Sequence, residues 1–151
     1  MWKLLQGRLK IGMFWKRIPK YEERAHCREC GHIETMDHIL FICEREGREE
    51  IWEEAEKLWN KTTPEIEKNK WVFPNTMLIR GLGGIKKAGV FESKEIMEKY
   101  IKMVLETVWV LWKMRNEAVI GEKKAGREQM KERWKKEINK LVETTYARVL
   151  K

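Results

Sequence analysis

The stretch CRECGHIETMDHILFIC, Cys27–Cys43, holds all three cysteines of this 151-residue chain and two of its three histidines. Taken together, Cys27, Cys30, His38 and Cys43 give the spacing C-x2-C-x7-H-x4-C. A structural Zn²⁺ takes four tetrahedral N/S ligands, and C-x2-C is the usual two-thiolate hairpin. Thr35 is placed to cap a short helix whose third position is His38, turning that imidazole toward the hairpin. Cys43 follows five residues later, about 140° round an ideal helix from His38, so the helix is expected to loosen at Ile42 or Cys43. His32 sits too close to Cys30 to serve, and His26 precedes the hairpin. The spacing predicts one structural zinc with no open coordination position.

Rival readings of the same residues are weaker. Three buried free thiols would not need to fall within one short stretch at ligand spacing. A redox C-x-x-C calls for the strand–helix context of a thioredoxin-like fold, which is missing. His32-Ile33-Glu34 matches the H-x-E of zinc deaminases, but there the C-x-x-C follows after a long gap, whereas here it comes directly before. RGLGGIKKAG lacks both the phosphate-loop pattern and the dinucleotide fingerprint. Asp37 is the only aspartate, which excludes a paired-aspartate metal site. The chain is read as a non-enzyme.

The rest of the sequence reads as helix. Hydrophobic residues make up 42% and charged ones 37%, a globular balance, while three prolines and ten glycines leave few turns for an all-β fold. Eight tryptophans point to an aromatic core. Before the knuckle, two short helices broken at Gly7 and Gly12 are expected to turn Trp2, Leu5, Leu9 and Trp15 inward. After it a helix restarts near Arg48, with Ile51, Trp52, Ala55, Leu58 and Trp59 on one 3.6-residue stripe, and ends at Pro64. Ser93 is a candidate N-cap for a helix reaching about Ile120 that is apolar nearly all round between Tyr100 and Trp112. Trp52, Trp59, Trp109 and Trp112 are therefore expected in the core. Gly121 and Gly126 bracket a turn before a last helix striped by Met130, Trp134, Ile138, Leu141, Thr145 and Val149. The result is a mainly α, single zinc-binding domain: a knuckle region with flanking helices over 1–60, an irregular connector over 61–92, and two long helices over 93–151, the first central and buried, the second basic.

No apolar run is long enough to span a bilayer, and no secretory signal is visible. An odd number of cysteines argues against a disulfide framework and for an intracellular, reducing compartment, nucleus or cytoplasm. The net charge of +8 is uneven: residues 1–20 carry six Lys/Arg and no acid, whereas residues 21–70 carry eight basic and fourteen acidic side chains. Lys3, Arg8, Lys10, Lys16 and Arg17 at one end, and Lys124, Arg127, Lys131 and Lys135 on one face of the last helix, are candidate phosphate contacts for RNA or DNA of low sequence specificity.

These motifs carry a resemblance. LLQGRLKIGMFWKRIP, CREC, IETMDHILFIC and the IW that follows resemble the zinc-binding region downstream of the reverse transcriptase, or of an RNase H domain, in non-LTR (LINE-type) retrotransposon polyproteins, fungal ones above all. Gly7-Arg8-Leu9, the Glu34-Thr35 pair, His38, Leu40, Cys43 and Trp52 carry it, and WVLWKMRN is similar to the Trp–Arg–Asn helix that follows in those elements, here Trp109, Trp112, Arg115 and Asn116. The resemblance implies a non-catalytic accessory module stabilised by zinc on Cys27, Cys30, His38 and Cys43, which helps a polyprotein hold template RNA or target DNA. It designates no nucleic-acid contact. The middle gap of seven residues differs from the four of retroviral-type knuckles, and the reverse transcriptase, endonuclease and RNase H motifs are missing. The competing reading is a helical interaction module, a homodimer sealed through Trp134, Ile138, Leu141, Thr145 and Tyr146 of the C-terminal helix.

Overall fold

The computed structural model of the chain describes residues 6, 8–65, 71–81, 91, 93–120 and 125–149, with side chains as far as residue 143. Five α-helices lie within them: α1 (Met13–Lys16), α2 (Arg48–Thr62), α3 (Thr76–Arg80), α4 (Lys94–Ile120) and α5 (Arg127–Val149). A 3₁₀ turn, Glu22–Ala25, and a π-helical turn, His38–Ile42, lie between α1 and α2. The described residues contain no strand, only an isolated antiparallel bridge between His26 and Ile33. No helix among them is long and apolar enough to cross a membrane.

Each long helix follows from its apolar spacing and its ends. In α2 the expected stripe is the buried one, with Ile51, Trp52, Ala55 and Trp59 at 0–1% exposure, and Glu49 and Glu50 suit the positive end of the helix dipole. Gly47, at φ 84°, leads into it, and a Cβ there would stand 2.3 Å from Met130 Sδ of α5. Only glycine allows that approach. At the start of α4 the Ser93 hydroxyl accepts from Ile96 N–H at 3.4 Å, the N-cap the sequence predicts. The connector contains α3, whose Asn75 cap accepts from Leu78 N–H at 2.8 Å.

α4 is the centre of the molecule. It packs against α2, α5 and the His38–Ile42 turn, burying Tyr100, Val104, Thr107, Val108 and Leu111 completely. Trp134 of α5 is buried and donates its indole N–H to Thr107 Oγ1 at 3.0 Å. At the far end Trp59, Trp71, Phe91 and Tyr100 form an aromatic cluster with ring centroids 5.1–6.1 Å apart. The four tryptophans expected to be mostly buried are so, Trp52 and Trp59 completely and Trp109 and Trp112 partly. Trp109 and Trp112 keep intermediate exposure at the edge of the core, Trp112 packed against it. Each carries a cation on its ring, Lys113 at 5.8 Å over Trp109 and Arg115 at 5.5 Å over Trp112. In α5, Met130, Trp134 and Ile138 of the proposed dimer-seam helix are buried in the chain's own core. Trp2, Leu5 and Gly7, most of the glycine-rich stretch, Gly121, and the side chains of Thr145, Tyr146 and Val149 lie outside the described residues.

Candidate metal centre

Short local bonds shape the knuckle. Cys27 N–H donates to His32 carbonyl oxygen at 2.8 Å, and Gly31 N–H to Cys27 at 2.9 Å. The turn between them needs Gly31 at φ 73°. His26 Nδ1 lies 2.9 Å from the Gly31 carbonyl, bracing the hairpin from outside. On the other side, Thr35 Oγ1 accepts from His38 N–H at 3.0 Å, so the predicted cap is present.

The expected loosening begins sooner than the sequence suggests, at His38 itself. Cys43 N–H donates to the His38 carbonyl at 2.8 Å, an i→i+5 closure. An ideal α-helix would put Cys43 about 140° away from His38. A turn widened to five residues returns it to the same side. Side chains from α2 stabilise this turn by taking its unused carbonyls: Trp52 Nε1–H donates to Leu40 at 2.9 Å and Arg48 Nε–H to Cys43 at 2.7 Å.

The four residues singled out by spacing converge. Cys27 Sγ and Cys43 Sγ are 3.7 Å apart, Cys30 Sγ and His38 Nε2 are 3.4 Å apart, and all four donor atoms lie within 4.8 Å of one another. Cys27, His38 and Cys43 are buried and Cys30 half-buried. Such a Cys₃His group could hold one metal ion. Burial, only partly opposed by Glu34, holds the His38 imidazole below its ordinary pKa, favouring the neutral form that ligates. Burial also pushes the Cys43 thiol up to about 11, so without a cation this sulfur keeps its proton. A bound cation inverts that preference.

One supporting pair escaped sequence reasoning. Glu34 and Arg115 are 4% and 5% exposed and 81 residues apart, yet Arg115 Nε donates to Glu34 Oε1 at 3.0 Å and its Nη2 to Glu34 Oε2. This bidentate pair fastens the segment entering the His38 turn to α4. The only signal in the sequence was that both residues belong to the family-like motifs; nothing pairs them there. A second fastening comes from Gly12, at φ 47°, where a Cβ would stand 2.0 Å from the Glu34 carbonyl oxygen.

The candidate phosphate contacts separate into two sets. Arg8, Lys10, Lys16 and Arg17 are exposed, and none forms an ion pair among the described residues. On α5, Arg127 pairs with Glu50 at 3.1 Å and Glu46 at 3.8 Å of the opposite helix end. Lys131 pairs with Glu128 at 3.0 Å and Lys135 with Glu132 at 3.4 Å. That row is a laced helix face rather than a bare cationic one. Lys3 and Lys124 lie outside the described residues. No protein-family model, curated protein or solved structure matches the chain.

Proposed function

We propose that the chain is a non-catalytic, zinc-stabilised nucleic-acid-binding accessory module, of the kind carried by the retrotransposon-type polyproteins that its motifs resemble. The observation that carries this reading is the convergence of Cys27, Cys30, His38 and Cys43. Ligands about 2.3 Å (sulfur) and 2.0–2.1 Å (imidazole nitrogen) from zinc stand about 3.8 Å apart for S···S and 3.5 Å for S···N round a tetrahedron. Two of the six separations here are 3.7 and 3.4 Å, and all four donor atoms lie within 4.8 Å of one another. A thiolate-rich set favours zinc over the hard cations magnesium and calcium. With four protein ligands the ion supplies no Lewis-acid chemistry; it cross-links the hairpin to the His38 turn.

The nucleic-acid part is supported by residues 8–20, which carry five cations and no acid. Glu22 and Glu23, in the 3₁₀ turn packed on α1, are the nearest acids and offset part of this field, and each phosphate the cations neutralise releases counterions. The test compares wild type with Lys10→Gln/Lys16→Gln/Arg17→Gln and with Arg127→Gln/Lys131→Gln/Lys135→Gln, on RNA and on duplex DNA at several salt concentrations. The first triple variant should shallow the log–log salt slope by about 0.7–0.9 for each phosphate it no longer neutralises, and the second should change it less. Equally weak, salt-independent binding by all three proteins removes the nucleic-acid half. Metal analysis finding no zinc in protein prepared without chelator removes the other half.

A further inference from the structure

Aromatic rings that the core leaves uncovered stand among those same cations. Phe14 is 40% and Tyr21 45% exposed. Both neighbour Trp15, with ring centroids 5.1 Å from Phe14 and 6.0 Å from Tyr21. Lys10 Nζ lies 5.6 Å over the Phe14 ring. The exposed Arg24 guanidinium lies 4.8 Å over Tyr21 and 5.3 Å over Trp15. The group is held in place: Trp15 Nε1–H donates to the Lys10 carbonyl at 2.7 Å, and Gly12 seats the start of α1 on Glu34. In sequence Arg8, Lys10, Lys16, Arg17 and Lys20 flank it, and Glu22 and Glu23 stand beside Arg24 in the 3₁₀ turn that packs on α1.

Cations alone would suit any phosphate backbone. Exposed rings and a flat guanidinium amid cations suit one with its bases unstacked, since every base has a π-face and a duplex hides it. We infer that Phe14, Trp15, Tyr21 and Arg24 form a stacking platform for single-stranded nucleic acid, RNA or DNA, with Lys10, Lys16 and Arg17 taking the phosphates. This rests on the nucleic-acid reading above and narrows it to strands with free bases.

The experiment measures binding of the zinc-loaded chain to a labelled oligouridylate, an oligothymidylate of equal length and a blunt DNA duplex across a salt series. Wild type should hold the single strands more tightly than the duplex. Phe14→Ala/Tyr21→Ala should weaken single-strand binding about 5- to 150-fold for each base deprived of its ring, leaving the salt slope and duplex binding unchanged. Tyr21→Phe should bind as wild type does. If the alanine pair releases zinc, Phe14→Leu/Tyr21→Leu keeps apolar bulk without a π-face and is read the same way. Salt-dependent wild-type binding with equal affinity for duplex and single strand, unaffected by removal of the rings, overturns the platform and leaves the phosphate reading standing. Wild-type protein that binds none of the probes overturns both.

Discussion

Glu34 carries a negative charge where almost no water reaches it, and Arg115 is its bidentate counter-ion. Removing one member of such a pair strands the other without solvation, at a cost of about 3–5 kcal/mol. Arg115→Met should lower unfolding stability in urea by that amount, and Glu34→Gln/Arg115→Met should recover much of it. Equal decreases in the single and double variants would show that the pair's charge is not what matters. Cys43 gives a second residue-scale prediction. With its thiol pushed up to about 11 by burial, metal must displace a proton to bind at neutral pH. Affinity measured against a competing chelator should therefore rise as the pH is raised through neutrality. A flat profile would mean that the thiols do not titrate against metal.

The elements differ in how far sequence alone predicts them. The stripe of α2 and the Ser93 cap of α4 are local patterns, and local patterns survive folding. The convergence of Cys27, Cys30, His38 and Cys43 is legible for the same reason, since it is written in their spacing. The widened His38–Ile42 turn was not, because it is maintained by Trp52 and Arg48 reaching back from α2. How fully Trp109 and Trp112 are enclosed is not legible in the sequence, because a helix apolar nearly all round does not reveal which face its partners leave uncovered. The lacing of Arg127 to Glu46 and Glu50 likewise depends on where α5 docks. These placements have consequences. Trp59→Ala should cost about 3–5 kcal/mol by urea unfolding, since Trp59 is fully enclosed. Trp109→Ala should cost clearly less, and equal costs would contradict the difference in burial.

For the whole molecule, the candidate metal centre is built into the core rather than appended to it. The turn carrying His38 also carries Ile39 and Leu40, both buried against the other helices. Small zinc peptides gain roughly 10–16 kcal/mol of apparent free energy from their ion. At about 2–4 °C per kcal/mol for a chain of this size, chelation should lower the melting temperature by well over ~10 °C, with α2 and α4 losing protection together. Calorimetry with and without chelator checks this; an unchanged transition would detach the knuckle from the core.

The 81-residue separation of Glu34 and Arg115 also sets a timetable. On a ribosome adding about 5–20 residues per second, all four ligands emerge some seconds before the guanidinium that will neutralise Glu34. If the knuckle binds zinc as proposed, it is complete for that early, yet its entry segment keeps an unmatched carboxylate in water until α4 has been made. Docking of the knuckle onto α4 must wait until α4 (Lys94–Ile120) has been made, and a chain truncated before Lys94 is expected to hold metal with the knuckle undocked.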